Sequence, residues 1–199
     1  MRLILASSSP RRREILTQMG FDFEVISPSV DELDALGPED TPVDFVLENA
    51  LIKGEAVAAM FPDALVLAAD TTVAFEGEVL NKPADMDEAK AMIRRLAGNM
   101  HTVYTGYQLI HEASDIMLAE SVASEVTFKP LADAEIDAYF KVVNPLDKAG
   151  AYGIQEGREL IIDKLEGSFT NVMGLPREAL TEALEEFEQI TGATVPQRS

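Results

Sequence analysis

The sequence predicts a mixed α/β fold, a central sheet flanked by helices. Three observations predict it. Through the first half of the chain, short apolar runs alternate with capped, amphipathic segments, the pattern of strand–helix units. In the middle, a Glu76-Gly77 turn between two alternating segments marks a hairpin. Two long strand-like stretches then follow one another, near 101–111 and 116–128. The early alternation calls for parallel pairing and the middle for antiparallel pairing, so the sheet is expected to be mixed.

Residues 2–6 form an apolar run expected to be a buried strand. Ser9-Pro10 opens a helix, Ser as N-cap and Pro at the first helical position, with Ile15, Leu16 and Met19 facing inward and Gly20 as the stop. A second strand is expected near 22–26, and 27–40 is loop. Thr41-Pro42 opens the next helix in the same way, with Val43, Val46, Leu47, Ala50, Val57 and Phe61 at helical spacing. Ala64 to Ala69 is apolar without interruption, as in a strand covered on both faces, and Asp70 is expected to end it. Asp85 and Glu88 form a capping box for a helix bearing Ala89, Met92, Ile93 and Leu96, which Gly98 terminates. Asp133 is expected to cap a helix ending at Asn144-Pro145. Residues 150–154 and 160–165 look extended, and Pro176 starts a last helix with Leu180, Ala183, Leu184 and Phe187 inward. The organisation expected is one domain over 1–187 and a polar tail over 188–199.

The chain has 199 residues, 47% of them apolar, which suits one domain with a substantial core. It has no cysteine, so thiolate metal sites and disulfides are excluded. The apolar run at the N-terminus is too short for a signal peptide, and no stretch approaches the roughly 18 apolar residues of a membrane span. These features predict a cytoplasmic protein with no membrane partner. The formal net charge is −19, which disfavours nucleic acid as a partner.

In so acidic a chain, clustered cations are informative. Arg11, Arg12 and Arg13 occupy the first turn of a helix, where the dipole disfavours each positive charge by about 0.3–1 kcal/mol. An anion at that terminus resolves the conflict, through backbone N–H groups, serine hydroxyls and guanidinium forks; three solvated side chains bending off the axis would also do so. Asp70-Thr71-Thr72 lies beyond an apolar strand, where open α/β sheets bind ligands. There Asp70 could hold Mg²⁺ or accept a proton from water, or simply cap a turn. Lys53 sits in the apolar stripe of its helix, and either snorkels or points into a cleft. Lys82, before Pro83, is open in the same way. In Asp147–Gln155, small residues surround an ion pair, suiting a flat ligand or a tight core, and the Gln155 amide could read a base edge. His101 and His111 fit core or surface positions better than ligand positions.

Taken in order, Ser9-Pro10-Arg11-Arg12, Ala69-Asp70-Thr71, Lys82-Pro83, Asp147–Gln155 and Val172-Met173-Gly174-Leu175-Pro176 resemble the Maf family, over residues 1 to about 187. The resemblance implies a two-lobed fold related to the inosine triphosphatases, with a cleft between the lobes, and a homodimer. It implies hydrolysis of a nucleoside triphosphate to monophosphate and pyrophosphate with a divalent metal, Mg²⁺ or Mn²⁺. It makes Asp70 the general base or metal-side carboxylate, with Glu32 near the metal. It makes Arg12, Thr71 and Gln155 substrate-selecting, and Ser9, Lys53 and Lys82 cleft residues; Arg13 joins them as an added arginine. Thr71 and the Asp147–Gln155 motif resemble the branch acting on dTTP and UTP, rather than the branch acting on 7-methyl-GTP. A non-catalytic nucleotide sensor or division regulator built on the same cleft is the rival expectation. The chain departs from the family pattern at Arg13, at Asn49 and Gly54 around Lys53, and at Glu156.

Overall fold

Apolar continuity decides which strands lie at the centre. The structure, a computed structural model, describes residues 1–197. Strand β1 (Arg2–Leu5) leads into α1 (Pro10–Gln18), and β2 (Glu24–Val25) returns beside β1. Helix α2 (Pro42–Ala58) leads into β3 (Ala64–Phe75), which turns at Glu76-Gly77 into β4 (Glu78–Leu80). Helix α3 (Met86–Leu96) precedes the long antiparallel pair β5 (Met100–His111) and β6 (Ile116–Phe128). The remaining elements are α4 (Asp133–Tyr139), α5 (Arg158–Ile161), β7 (Ile162–Glu166), α6 (Phe169–Met173) and α7 (Arg177–Thr191). The sheet has seven strands in the order β2-β1-β3-β5-β6-β7, with β4 also on β3. Pairing is parallel among β2, β1 and β3 and antiparallel elsewhere, the mixed sheet that the sequence predicts.

The caps explain the helix starts. Ser9 accepts from Arg12 N–H, and Thr41 and Asp44 form a reciprocal capping box. Asp133 does not cap α4. Ala132 holds that position, its N–H donating to Glu135, and this frees Asp133 for a bidentate pair with Arg94.

The two faces of β3 enter different cores. Leu65, Leu67 and Ala69 pack with Leu3, Leu5, Leu16 and Phe187. Val66 and Ala68 pack with Ile4, Val57 and Ile110 beneath α2. Further along the sheet, Val73, Ile93, Phe128, Tyr139 and Tyr152 form a third cluster. Residues of this last cluster (Val73, Val103, Tyr152) and of the first (Ile154, Met173) line the cleft.

Three further expectations are corrected. Strand β3 does not end at Asp70 but continues through it to Phe75, because β5 pairs with it from Val66 to Ala74 and holds the polar residues in the ladder. Residues 149–151 form a tight turn rather than a strand, with Gly150 and Ala151 at φ of 65° and 63°. The chain past Glu188, expected as a polar tail, is helical to Thr191 and then folds back. Val195 is buried in the first core, Asp22 N–H donates to Pro196 O and Gln197 bridges Phe21, which together anchor the segment.

Candidate active site

The cleft arises from a gap in the sheet. Strand β1 stops at Leu5, opposite Leu67, and β4 joins β3 only at Val73. Between them, residues 68–72 of β3 have a strand neighbour on the β5 side alone. The carboxyl end of β1 and the N-terminus of α1 open onto this gap, which is where a ligand is expected in a sheet of this kind. The resulting cavity measures about 280 Å³. Ser9, Arg12, Glu32, Lys53, Asp70, Thr71 and Lys82, all expected at the site, line it. Five cations (Arg11, Arg12, Lys53, Lys82, Lys148) face three carboxylates (Glu32, Asp70, Asp147) there, so the cleft is locally positive in a chain of net charge −19.

Asp70 and Thr71 are adjacent and therefore project to opposite faces of the sheet. On the α2 face, Lys53 Nζ donates to Asp70 Oδ1 at 2.7 Å and to Glu32 Oε2 at 2.9 Å. The Lys53 side chain is only 6% exposed, Asp70 14% and Glu32 48%. Lys53 therefore does not snorkel; two carboxylates hold its charge. What lets α2 come this close is Gly106 of β5, the cross-strand neighbour of Asp70. A Cβ at Gly106 would sit 2.8 Å from the Val46 carbonyl carbon and 2.9 Å from the Leu47 nitrogen.

On the opposite face, Arg12 is fixed by neutral acceptors. Its Nε donates to Gly174 O at 2.8 Å, Nη1 to Ser7 Oγ at 3.2 Å and Nη2 to Thr71 Oγ1 at 3.1 Å. Burial lowers its pKa from the ordinary arginine value, and Arg11 acts in the same direction against the attraction of Asp70 and Glu32. Three contacts leave two of its five N–H groups available to a ligand. The wall beside it is apolar: Val73, Val103, Ile154, Val172 and Met173.

At the mouth, Arg11 Nη1 reaches Asp147 Oδ2 at 3.4 Å, and Lys148 Nζ reaches Asp147 Oδ1 at 2.7 Å. Partial burial pushes the Asp147 carboxyl up, but Lys148 and Arg11 outweigh it and hold the group below its ordinary value.

Two expected residues lie outside the cleft lining. Arg13 is exposed, because successive helical residues turn by about 100° and only Arg11 and Arg12 share the cleft side. Gln155 is exposed and donates through Nε2 to Glu14 Oε2 at 2.9 Å, which keeps its amide on α1 rather than in the cavity. Ser7, Arg11, Lys148 and Gly174 also line the cleft; the sequence placed them in its motifs without giving any of them a role of its own there. A signal for the arginines was available. Arg12 precedes the buried pair Ile15 and Leu16 by three and four residues, so it had to share their face. His101 and His111 are both buried, as core positions require.

The pair Asp70 and Glu32 suits a hard divalent cation that draws its other oxygen ligands from water and phosphate. Among the described residues no group of three or more His, Cys, Asp or Glu converges. Among the described residues no helix is long and apolar enough to cross a membrane.

The family model described as "Maf-like protein" matches residues 2–187. A dTTP/UTP pyrophosphatase of Syntrophus aciditrophicus is 43% identical over 190 residues, covering 96% of this chain and 92% of the relative. One of Desulfotalea psychrophila is 44% identical over 189 residues, covering 95% and 96%. A solved nucleoside-triphosphatase, a dITP/XTP pyrophosphatase of Mycobacterium abscessus, aligns over 97% of this chain and 100% of that one, at 12% identity and a TM-score of 0.46.

Proposed function

The chain belongs to the Maf family, and on that premise we propose that it hydrolyses nucleoside triphosphates, dTTP and UTP foremost, to the monophosphate and pyrophosphate. The observation that carries this reading is the gathering of five cations and the N-terminus of α1 around the Asp70 carboxylate, in a chain otherwise strongly acidic. The named activity of relatives more than 40% identical over nearly the whole chain supports it.

The chemistry follows from the charges. Lys53, Lys82, Arg11 and the positive end of the α1 dipole suit the triphosphate, whose charge grows on the departing pyrophosphate as water attacks the α-phosphorus. Asp70 is the acceptor for the proton of that water. Its position between the ammonium of Lys53 and the cavity keeps one oxygen occupied and leaves the other for the nucleophile. Asp70 and Glu32 would also hold a divalent cation, which when bound neutralises phosphate charge. Arg12 and Thr71, beside the apolar wall, suit the base rather than the phosphates.

Product analysis tests the reading. Purified protein with Mg²⁺ is expected to release pyrophosphate and the monophosphate from dTTP and UTP. Release of inorganic phosphate alone would refute it, and so would turnover confined to 7-methyl-GTP as regards the substrate.

A further inference from the structure

Behind the cleft, a chain of hydrogen bonds runs from Arg12 into the core. Thr71 Oγ1 lies 2.9 Å from Thr105 Oγ1, and Thr105 Oγ1 lies 2.9 Å from the carbonyl oxygen of Asn171. A carbonyl only accepts, so Thr105 spends its single hydrogen on Asn171. Thr71 must then donate to Thr105, and Arg12 Nη2 donates to Thr71. The reverse order would leave the Thr71 hydrogen with no partner among the described residues. The chain therefore has one direction: Arg12 to Thr71 to Thr105 to Asn171.

Asn171 is held rigidly. It is fully buried, and its Nδ2 donates to Val103 O at 3.1 Å and to Ser124 Oγ at 3.0 Å. Ser124 Oγ gives its own hydrogen to Ser168 O, so it can only accept from Asn171, and the amide cannot turn over. The cost is visible: Asn171 Oδ1 is buried without a partner. Asn171 also lies in α6, whose end places the Gly174 carbonyl against Arg12 Nε.

We infer that Thr105 and Asn171, neither of which lines the cleft, are positioning residues that lock Arg12 and Thr71 as a donor–acceptor pair for the imide edge of a uracil or thymine ring. Toward the cavity Thr71 offers a lone pair and no hydrogen, while Arg12 offers N–H groups beside it. Uracil and thymine present a ring N–H flanked by carbonyl oxygens, which complements that pair. Cytosine presents an acceptor at the same ring nitrogen and would face the Thr71 lone pair. The inference rests on the proposed pyrimidine substrate and adds how the base is told apart.

The test reads binding without hydrolysis, using α,β-imido analogues of UTP and CTP. In Thr105→Val the Thr71 hydrogen is released toward the cleft. The dissociation constant for the UTP analogue is expected to rise about tenfold while that for the CTP analogue changes little. Thr105→Ser is expected to restore the ratio. Equal weakening of both analogues, or of neither, overturns the inference. The wild-type protein gives a second reading that needs no variant to fold. An N3-methylated UTP analogue, which lacks the ring N–H, is expected to bind about tenfold more weakly than the parent, and equal binding overturns the assignment. A protein that cleaves no triphosphate yet shows these ratios would break the reading of function and leave the base-reading pair standing.

Discussion

Asp70 and Thr71 are neighbours in sequence and face opposite sides of one sheet, and the two sides are built differently. On Asp70's side, charges meet: Lys53 between two carboxylates, one of them half exposed. On Thr71's side, a cation meets only neutral oxygens, and the contacts continue into a fully buried network with a fixed direction. An ion cluster is tolerant of geometry, since Coulomb attraction falls off slowly and solvent can share the load. A directed hydrogen-bond chain is not, since each hydrogen has one place to go. The difference teaches that one strand can present an ion cluster and a directed hydrogen-bond network independently, because successive side chains alternate faces.

The largest effect that would sharpen this separation comes from Asp70→Asn. Turnover is expected to fall by about a thousandfold, with the UTP-to-CTP ratio in analogue binding unchanged. A variant that keeps near-normal turnover, or that loses base preference along with turnover, would break the division of labour. Next in size is Gly106→Ala. The added methyl meets α2 backbone, which cannot rotate away, so a loss of about 1–3 kcal/mol in unfolding free energy is expected together with reduced turnover, as α2 carries Lys53 back from Asp70. An unchanged midpoint in chemical denaturation would show that α2 is not held by this contact.

The smallest effect falls on the neutral face. His101 lies there with Nε2 bonded to Tyr152 Oη at 2.7 Å, and burial lowers its pKa from 6.5 to about 4. Between those values the unfolded chain binds the proton and the folded chain does not, so stability falls as pH falls from 6.5 to 4 and this contribution is fully present above 6.5. Urea titrations across that range, compared between wild type and His101→Gln, should show a shallower dependence in the variant. Parallel curves would exclude His101 as the origin.

Much of this arrangement was legible in the sequence. Ser-Pro and Thr-Pro starts located α1 and α2, and the apolar run of β3 fixed the centre of the sheet, because capping and burial are written in local residue types. The motifs and the family resemblance they carry pointed to Ser9, Arg12, Glu32, Lys53, Asp70, Thr71 and Lys82, which line one cleft. The errors share a cause. Asp70 looked like a strand end because a polar residue in an apolar run ordinarily marks one, and only pairing with β5 carries the strand on. Arg13 was included beside Arg12 because adjacency in sequence conceals a turn of the helix. Helix α6 was missed because its five residues are held by Ser168 and by contacts to β5 and β6, not by any periodicity. Thr105 and Asn171 gave no signal at all, since a threonine in a strand and an asparagine in a short helix are commonplace until their partners are seen.

The gap along β3 has a consequence beyond ligand binding. An unpaired strand edge is a template on which another chain can add a strand. Here it spans only residues 68–72, between the end of β1 and the start of β4. Its flanks carry Arg11, Lys82 and Lys148, and the cavity lies against it. A passing segment would need to fit a slot closed at both ends by β1 and β4 and desolvate several charges to do so. The interruption that forms the cleft is thus closed at both ends and lined with charge, which disfavours a polypeptide there, and the same few residues that open the sheet guard it against aggregation.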